Sequence, residues 1–217
     1  MRAWMSWSSG KDSAHALAAV RADVVGLVTT VSAAYDRVAM HAVRRALLER
    51  QAAALRLPLT VVELPTPCTN DEYEARFGAA LVRAREEGVT HIVFGDLFLA
   101  DVRAYRERQL AAVGLTPVFP LWQRDTRELA HEMIASGLRA RLTCVDPRVL
   151  ERTFAGREFD ESLLADLPAS VDPCGERGEF HTFVTHSPLF STPIAVTLGE
   201  VVERDGFVFA DCLDAAL

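Results

Sequence analysis

The chain reads as an α/β protein, with a parallel sheet sandwiched by helices over residues 1–146 and a smaller C-terminal α+β lobe over 147–217. Three observations predict this. β-branched runs such as Val24-Val25-Gly26-Leu27-Val28-Thr29-Thr30-Val31 suit strands covered on both faces, and they alternate with helical stretches at the spacing of right-handed crossovers. The apolar run Trp4 to Trp7 breaks into a Ser/Gly turn and passes at once into a helix. The last quarter loses the alternation and ends in two extended runs joined by Arg204-Asp205-Gly206, a β-hairpin signature.

Taken in order, Trp4–Trp7 is the first strand and Ala14–Val20 lies in the first helix. The second strand runs from Asp23 to Val31, and a polar connection leads to a helical pattern from His41 to about Leu55, ended by Leu57-Pro58. Leu59–Leu64 is the third strand. Asn70 or Asp71 caps a helix carrying Tyr73, Phe77, Leu81 and Val82, which closes at Gly88. Val89–Gly95 is the fourth strand and delivers Asp96 at its end. Asp101 opens a helix stopped by Gly114, Pro117–Leu121 is extended, and Asp125 starts a helix with Leu129, Met133 and Ile134 as its buried stripe. Arg141–Val145 is a short strand, and Asp160–Leu167 is helical. Thr192–Glu203 and Phe207–Cys212 form the hairpin.

Composition bounds the function. Half of the residues are apolar and 24% charged, as in an ordinary globular protein, and no run approaches a membrane span. The phosphate-loop pattern begins by Ser8, leaving no room ahead of it for a signal peptide, so a cytoplasmic protein is expected. The net charge of −7 argues against a nucleic-acid partner. Cys68, Cys144, Cys174 and Cys212 form no C-x-x-C pair and read as buried small residues rather than a zinc or redox site.

The chemistry concentrates in two stretches. In Ser8-Ser9-Gly10-Lys11-Asp12-Ser13, a small turn lets backbone N–H groups approach an anion, and the following helix points its positive end at the same place. Neither the Walker nor the dinucleotide spacing is present; the pattern is S-x-G-x-D-S. Lys11 is the only lysine among 23 basic residues, a compact cation where arginine is otherwise used throughout. Asp12 is the natural Mg²⁺ ligand or else a helix-dipole charge, and Ser8 and Ser13 are phosphate donors, Ser13 alternatively a cap. Ligands of open α/β sheets bind beyond the carboxyl ends of the strands, which gathers Thr29, Thr30, Gly95 and Asp96 on the same edge. Asp96 is either a catalytic-edge carboxylate or a plain turn residue.

The second stretch is Cys174-Gly175-Glu176-Arg177-Gly178-Glu179-Phe180-His181-Thr182. In an extended segment Glu179 and His181 share a face, where a carboxylate and an imidazole position ammonia or take its proton. His15, His91 and His131 read as structural, with His41 and His186 undecided.

The S-x-G-x-D-S loop resembles that of the PP-loop ATP pyrophosphatases. Tyr35-Asp36-Arg37-Val38-Ala39-Met40-His41, Phe94-Gly95-Asp96, Tyr105-Arg106-Glu107-Arg108, Phe119-Pro120-Leu121-Trp122 and the stretch Val171–Phe183 narrow the resemblance to the diphthine–ammonia ligase family. It implies a Rossmann-like sheet of the adenine nucleotide alpha hydrolase type and ATP-dependent amidation. A carboxylate is adenylated, AMP and pyrophosphate are released, and ammonia arrives free because no length remains for a glutaminase domain. Diphthine on an elongation factor is the implied acceptor, ATP and Mg²⁺ are the implied cofactors, and a homodimer is a candidate assembly. The resemblance places ATP on Ser8–Ser13, Thr29, Thr30, Gly95 and Asp96, and catalysis on Lys11, Asp12, Glu176, Glu179 and His181. Substrate contacts fall to Tyr35, His41, Tyr105, Arg106, Arg108, Cys174, Gly175, Gly178 and Thr182. Two residues depart from the family pattern: Ser9 stands where Gly is usual, and Arg177 where Asn is common. The alternatives are a tRNA-modifying enzyme of the same superfamily, weakened by the acidic charge and unpaired cysteines, and a non-catalytic nucleotide-binding module.

Overall fold

A computed structural model describes residues 1–215. Five parallel strands form the main sheet: β1 (Ala3–Ser6), β2 (Val24–Ser32), β4 (Leu59–Leu64), β5 (His91–Val93) and β6 (Thr116–Val118). Their spatial order is β4-β2-β1-β5-β6, with the two-residue strand β3 (Arg37–Val38) antiparallel to the end of β2. The order reverses between β1 and β5, and in such sheets the crevice at that switch point binds ligands.

Period-two alternation explains the layers. Trp4, Val28, Val62, Ile92 and Phe94 pack on one face with Phe77 and Leu81 of α3 (Asn70–Glu86) and Leu110 of α4 (Ala100–Ala111). Met5, Leu27, Val31 and Val93 face the other way, toward Leu17 of α1 (Lys11–Val20) and Leu47, Leu48 and Leu55 of α2 (Arg45–Leu55). α5 (Thr126–Ala135) contributes Leu129 and Met133 to that second core.

A second, antiparallel sheet has the order β8-β7-β10-β9, from β7 (Arg139–Val145), β8 (Phe180–His186), β9 (Val196–Arg204) and β10 (Phe207–Asp214). Leu142, Phe180 and Phe183 join the core on the α1 and α2 side, so the two sheets share one apolar interior. β7, counted with residues 1–146 in the sequence, pairs with β8 and β10 and so belongs structurally to the second sheet. The expected hairpin is present, with Asp205 at φ 52° and Gly206 at φ 80°, the paired left-handed turn that matches strand twist. Before it, α6 (Glu161–Asp166) is capped by Asp160, whose side chain accepts from Leu163 N.

Two local expectations are corrected. The helix expected from His41 starts at Arg45, because Met40 (φ 61°) and Ala42 (φ 55°) are left-handed and hold residues 38–44 in a tight turn. α3 is capped by Thr69 rather than Asn70 or Asp71. Thr69 and Glu72 form a reciprocal capping box, which satisfies two terminal amides where a lone Asn or Asp would satisfy one. No helix among the described residues is long and apolar enough to cross a membrane.

Candidate active site

The phosphate loop leaves β1 at the switch point. Trp7 N extends the strand pairing by donating to Val28 O (2.7 Å), and the chain turns through Ser8–Gly10 into α1. Ser8 Oγ donates to Ser13 Oγ (3.1 Å), and Ser13 Oγ donates to Gly10 O (2.9 Å), so both hydroxyls are held at the helix start. Two glycines permit the close approaches around this loop. A Cβ on Gly10 would lie 2.7 Å from His41 Cε1, and one on Gly95 would lie 2.8 Å from the backbone carbon of Asp12.

Ser9 is left-handed (φ 69°) and fully buried, and its hydroxyl has no hydrogen-bond partner among the described residues. It does not line the cavity. Its carbonyl accepts from Val184 N (2.9 Å) and Gln51 Nε2 (3.2 Å), which locks the loop to β8 and α2. Gln51 also accepts from Trp7 Nε1 (2.9 Å) and donates to Val184 O (2.6 Å). Sequence reasoning missed this buried amide, although a Gln within the Leu47-Leu48-Leu55 stripe of α2 was the available signal.

Lys11 is 1% exposed. Its Nζ donates to both carboxylate oxygens of Asp12 (2.9 Å each) and to the main-chain oxygen of Cys174, and it lies over the rings of Phe159 and Phe180. Burial pulls its pKa down, but its neighbours, Asp12 foremost with Cys174 and Asp172, together outweigh that and hold the ammonium above its ordinary value. The backbone N–H of Lys11 donates to Thr182 Oγ1 (3.1 Å).

The C-terminal loop divides its acidic residues between two tasks. Glu179 is buried away from the cavity, where Oε1 accepts from Asp172 N (3.0 Å) and Oε2 from Arg177 N (2.9 Å). It shapes the loop. Glu176 faces the cavity, with Oε1 accepting from Leu97 N (2.7 Å) and Phe98 N (3.3 Å). Burial raises its pKa to about 7 against the two amides that favour the carboxylate, and Asp12 and Asp96 add to the rise. His181 and His41 also line the cavity, with ring centroids 4.6 Å apart, and His41 Nδ1 donates to Thr182 O (3.0 Å). Burial lowers both imidazole pKa values, His181 well below its ordinary value, so both rings are neutral near pH 7.

The resulting cavity encloses about 500 Å³ between the phosphate loop, the strand ends at Thr29, Thr30, Gly95 and Asp96, and the loop around Gly175 and Glu176. Its lining also includes the aromatic Tyr73, Phe77 and Phe94, which sequence reasoning did not assign to the site. Arg106 stands there over the Phe94 ring (4.3 Å) and pairs with Asp96 (2.6 Å). Other expected residues lie elsewhere. Tyr105 and Arg108 line a groove between α3 and α4, and Tyr35 lines a second cavity. Cys174 is buried, its Sγ bonded to Thr126 O (3.3 Å), and Gly178 faces open space. His15, His91 and His131 lie outside the cavity, bonded to Glu132, Thr90 and Glu161.

Both cations of the cavity, Lys11 and Arg106, are already paired with carboxylates, and Glu176 adds another acidic group. Among the described residues the cavity therefore offers no unpaired side-chain cation, and a polyanion bound there would need a divalent cation with it. Among the described residues no group of three or more His, Cys, Asp or Glu could cage a metal by itself. A cation such as Mg²⁺, held through one or two carboxylates plus a ligand's phosphates, needs no such cage, and Asp12 is a cavity carboxylate that could contribute to it.

Residues 1–117 match the diphthamide synthase N-terminal domain family, and residues 125–210 match the diphthamide synthase C-terminal domain family. A diphthine–ammonia ligase of Homo sapiens is 31% identical over 192 residues, covering 81% of this chain and 70% of that protein. One of Bos taurus is 32% identical over 150 residues, covering 67% of this chain and 56% of that protein. One of Schizosaccharomyces pombe is 38% identical over 96 residues, covering 42% of this chain and 16% of that protein. The chain thus spans just over half the length of the bovine relative and a small part of the yeast one.

Proposed function

The chain belongs to the diphthamide synthase family, and from that premise we propose that it is an ATP-dependent ligase that adenylates a carboxylate and amidates it with ammonia. The observation that carries the reading is the switch-point cavity, floored by the Ser8–Ser13 loop and faced by Glu176 and His181 of the C-terminal loop. On this reading residues 1–146 bind the nucleotide, and 147–217 supply the acceptor side. Diphthine is the acceptor suggested by the names of the relatives, and the sequence resemblance implies that an elongation factor carries it.

The acceptor carboxylate attacks the α-phosphorus of ATP, and pyrophosphate leaves with the electron pair of the broken P–O bond. Ammonia then forms the C–N bond, and the C–O bond breaks as AMP departs. Ser8, Ser13 and the α1 N-terminus bind the phosphates, and Mg²⁺ at Asp12 supplies charge neutralisation when bound. Lys11 orients Asp12 and keeps the C-terminal loop against the phosphate loop. The neutral rings of His41 and His181 offer proton-accepting nitrogens beside Gly10, where the ammonia proton must go.

The test is to incubate the protein with ATP, Mg²⁺, ammonium and elongation factor 2 carrying diphthine, and to separate AMP plus pyrophosphate from ADP plus phosphate. AMP and pyrophosphate that appear only with the acceptor are the expected result. ADP, or no turnover despite ATP binding, would overturn it.

A further inference from the structure

The stretch Tyr35-Asp36-Arg37-Val38-Ala39-Met40-His41 has two sides. Val38, Ala39, Met40 and His41 line the nucleotide cavity. Tyr35, Arg37, Val38, Ala39 and Met40 line a second cavity of about 500 Å³, walled opposite by Val202, Phe207 and Phe209 of the C-terminal hairpin. Residues 38–40 are therefore a single partition between two chambers.

The partition is fixed from the hairpin side. Asp211 of β10 accepts from Arg37 Nη1 (2.8 Å) and Arg44 Nη2 (2.5 Å), and Arg37 Nη1 also donates to Ala42 O (2.7 Å). These bonds hold Met40 and Ala42 in left-handed conformations that non-glycine residues otherwise avoid. The mouth is unlike the rest of the surface. Tyr35, Met40 and Val202 are exposed although large and apolar. Arg204 lies 5.2 Å over the Tyr35 ring and, unlike Arg37 and Arg44, makes no ion pair among the described residues.

We infer that this second cavity seats the acceptor: a protein side chain whose extended arm ends in a carboxylate, laid along Tyr35, Phe207 and Phe209 so that the carboxylate crosses Met40 into the nucleotide cavity. The inference rests on the adenylating reading above and extends it by naming where the acceptor enters. Adjacency is the first argument. ATP occupies the phosphate-loop chamber, and the acceptor needs separate room beside it; the two cavities adjoin along Val38, Ala39 and Met40, with Met40 the exposed edge of the partition. Chemistry is the second. Aromatic walls suit the carbon chain of the arm, and Arg204, which makes no ion pair among the described residues, draws an anionic group toward the mouth as it enters. The exposed Tyr35, Met40 and Val202 are the apolar surface that a docked protein would cover.

Tyr35→Ala removes one wall, and Val202→Trp fills the chamber from an edge strand that tolerates a larger side chain. Both are assayed with elongation factor 2 carrying diphthine as acceptor, with ATP affinity measured by calorimetry and folding checked by thermal melts. The expected result is an acceptor KM raised about tenfold in each, the effect of about 1.4 kcal/mol of lost binding, with ATP affinity unchanged. An unchanged acceptor KM, or an equal loss of ATP affinity, would overturn the second cavity as acceptor site. Wild-type protein that makes no AMP with this acceptor would instead overturn the ligase reading itself.

Discussion

Lys11 Nζ donates to the main-chain oxygen of Cys174, so the only lysine of the chain straps the C-terminal loop to the phosphate loop. In Lys11→Met, Asp12 and the Cys174 oxygen lose their shared donor. Breaking a buried pair this way costs about 3 kcal/mol, the low end of the range because the Asp12 side chain keeps 27% of its exposure. Urea unfolding and ATP titration should both show a loss. A variant that unfolds like wild type and loses only ATP binding would mean that the lysine serves the phosphates and not the strap.

Ser9→Gly is expected to stabilise the protein by about 1 kcal/mol. A non-glycine residue at φ 69° and a buried hydroxyl without a partner are both unfavourable, and together they exceed the backbone entropy that glycine adds to the unfolded chain. The side chain faces away from the cavity, so ATP affinity should stay the same. Matched thermal melts and ATP titrations decide this, and a lower melting temperature in the glycine variant would contradict it.

Glu179→Ala leaves the buried amide of Asp172 without an acceptor and the amide of the exposed Arg177 to water, a loss of about 1–3 kcal/mol. Glu179→Gln keeps one acceptor oxygen and should recover part of that stability. Hydrogen exchange at residues 172–180 is the direct readout. Protection that survives in the alanine variant would show that the loop does not depend on this carboxylate.

The two acidic residues of that loop show where sequence reasoning stops. Strand alternation, the Asp205-Gly206 turn and the strand–loop–helix at Ser8–Ser13 are local patterns, and they were legible because neighbours along the chain decide them. Glu179 and His181 were expected on one face of an extended segment, but β8 begins only at Phe180, and Glu179 sits in the preceding turn, pointing at its own loop. The strap from Lys11 and the buried Gln51 join residues 163 and 133 positions apart in sequence, respectively, and no periodicity encodes such partners. His41 stands at the start of the helical pattern that the sequence predicts to about Leu55. The left-handed residues on either side, stabilised from the distant hairpin through Asp211, stop the helix and turn the ring toward Gly10.

Glu176 gives the protein a pH dependence of definite sign. Burial raises its pKa from the ordinary 4.5 to about 7 in the folded chain. Between those values the folded state holds a proton that the unfolded state has released, so stability falls as pH rises through the window and stays reduced above it. Glu176→Gln is neutral throughout, and its amide oxygen still accepts from Leu97 N and Phe98 N. The variant should therefore melt higher than wild type above pH 7, and the two melting curves should converge as pH falls toward 4.5. Melting temperatures recorded across that range in the absence of nucleotide give the comparison. Parallel curves for the two proteins would show that the carboxylate is ionised in the folded state throughout, with its charge already compensated by the two amides.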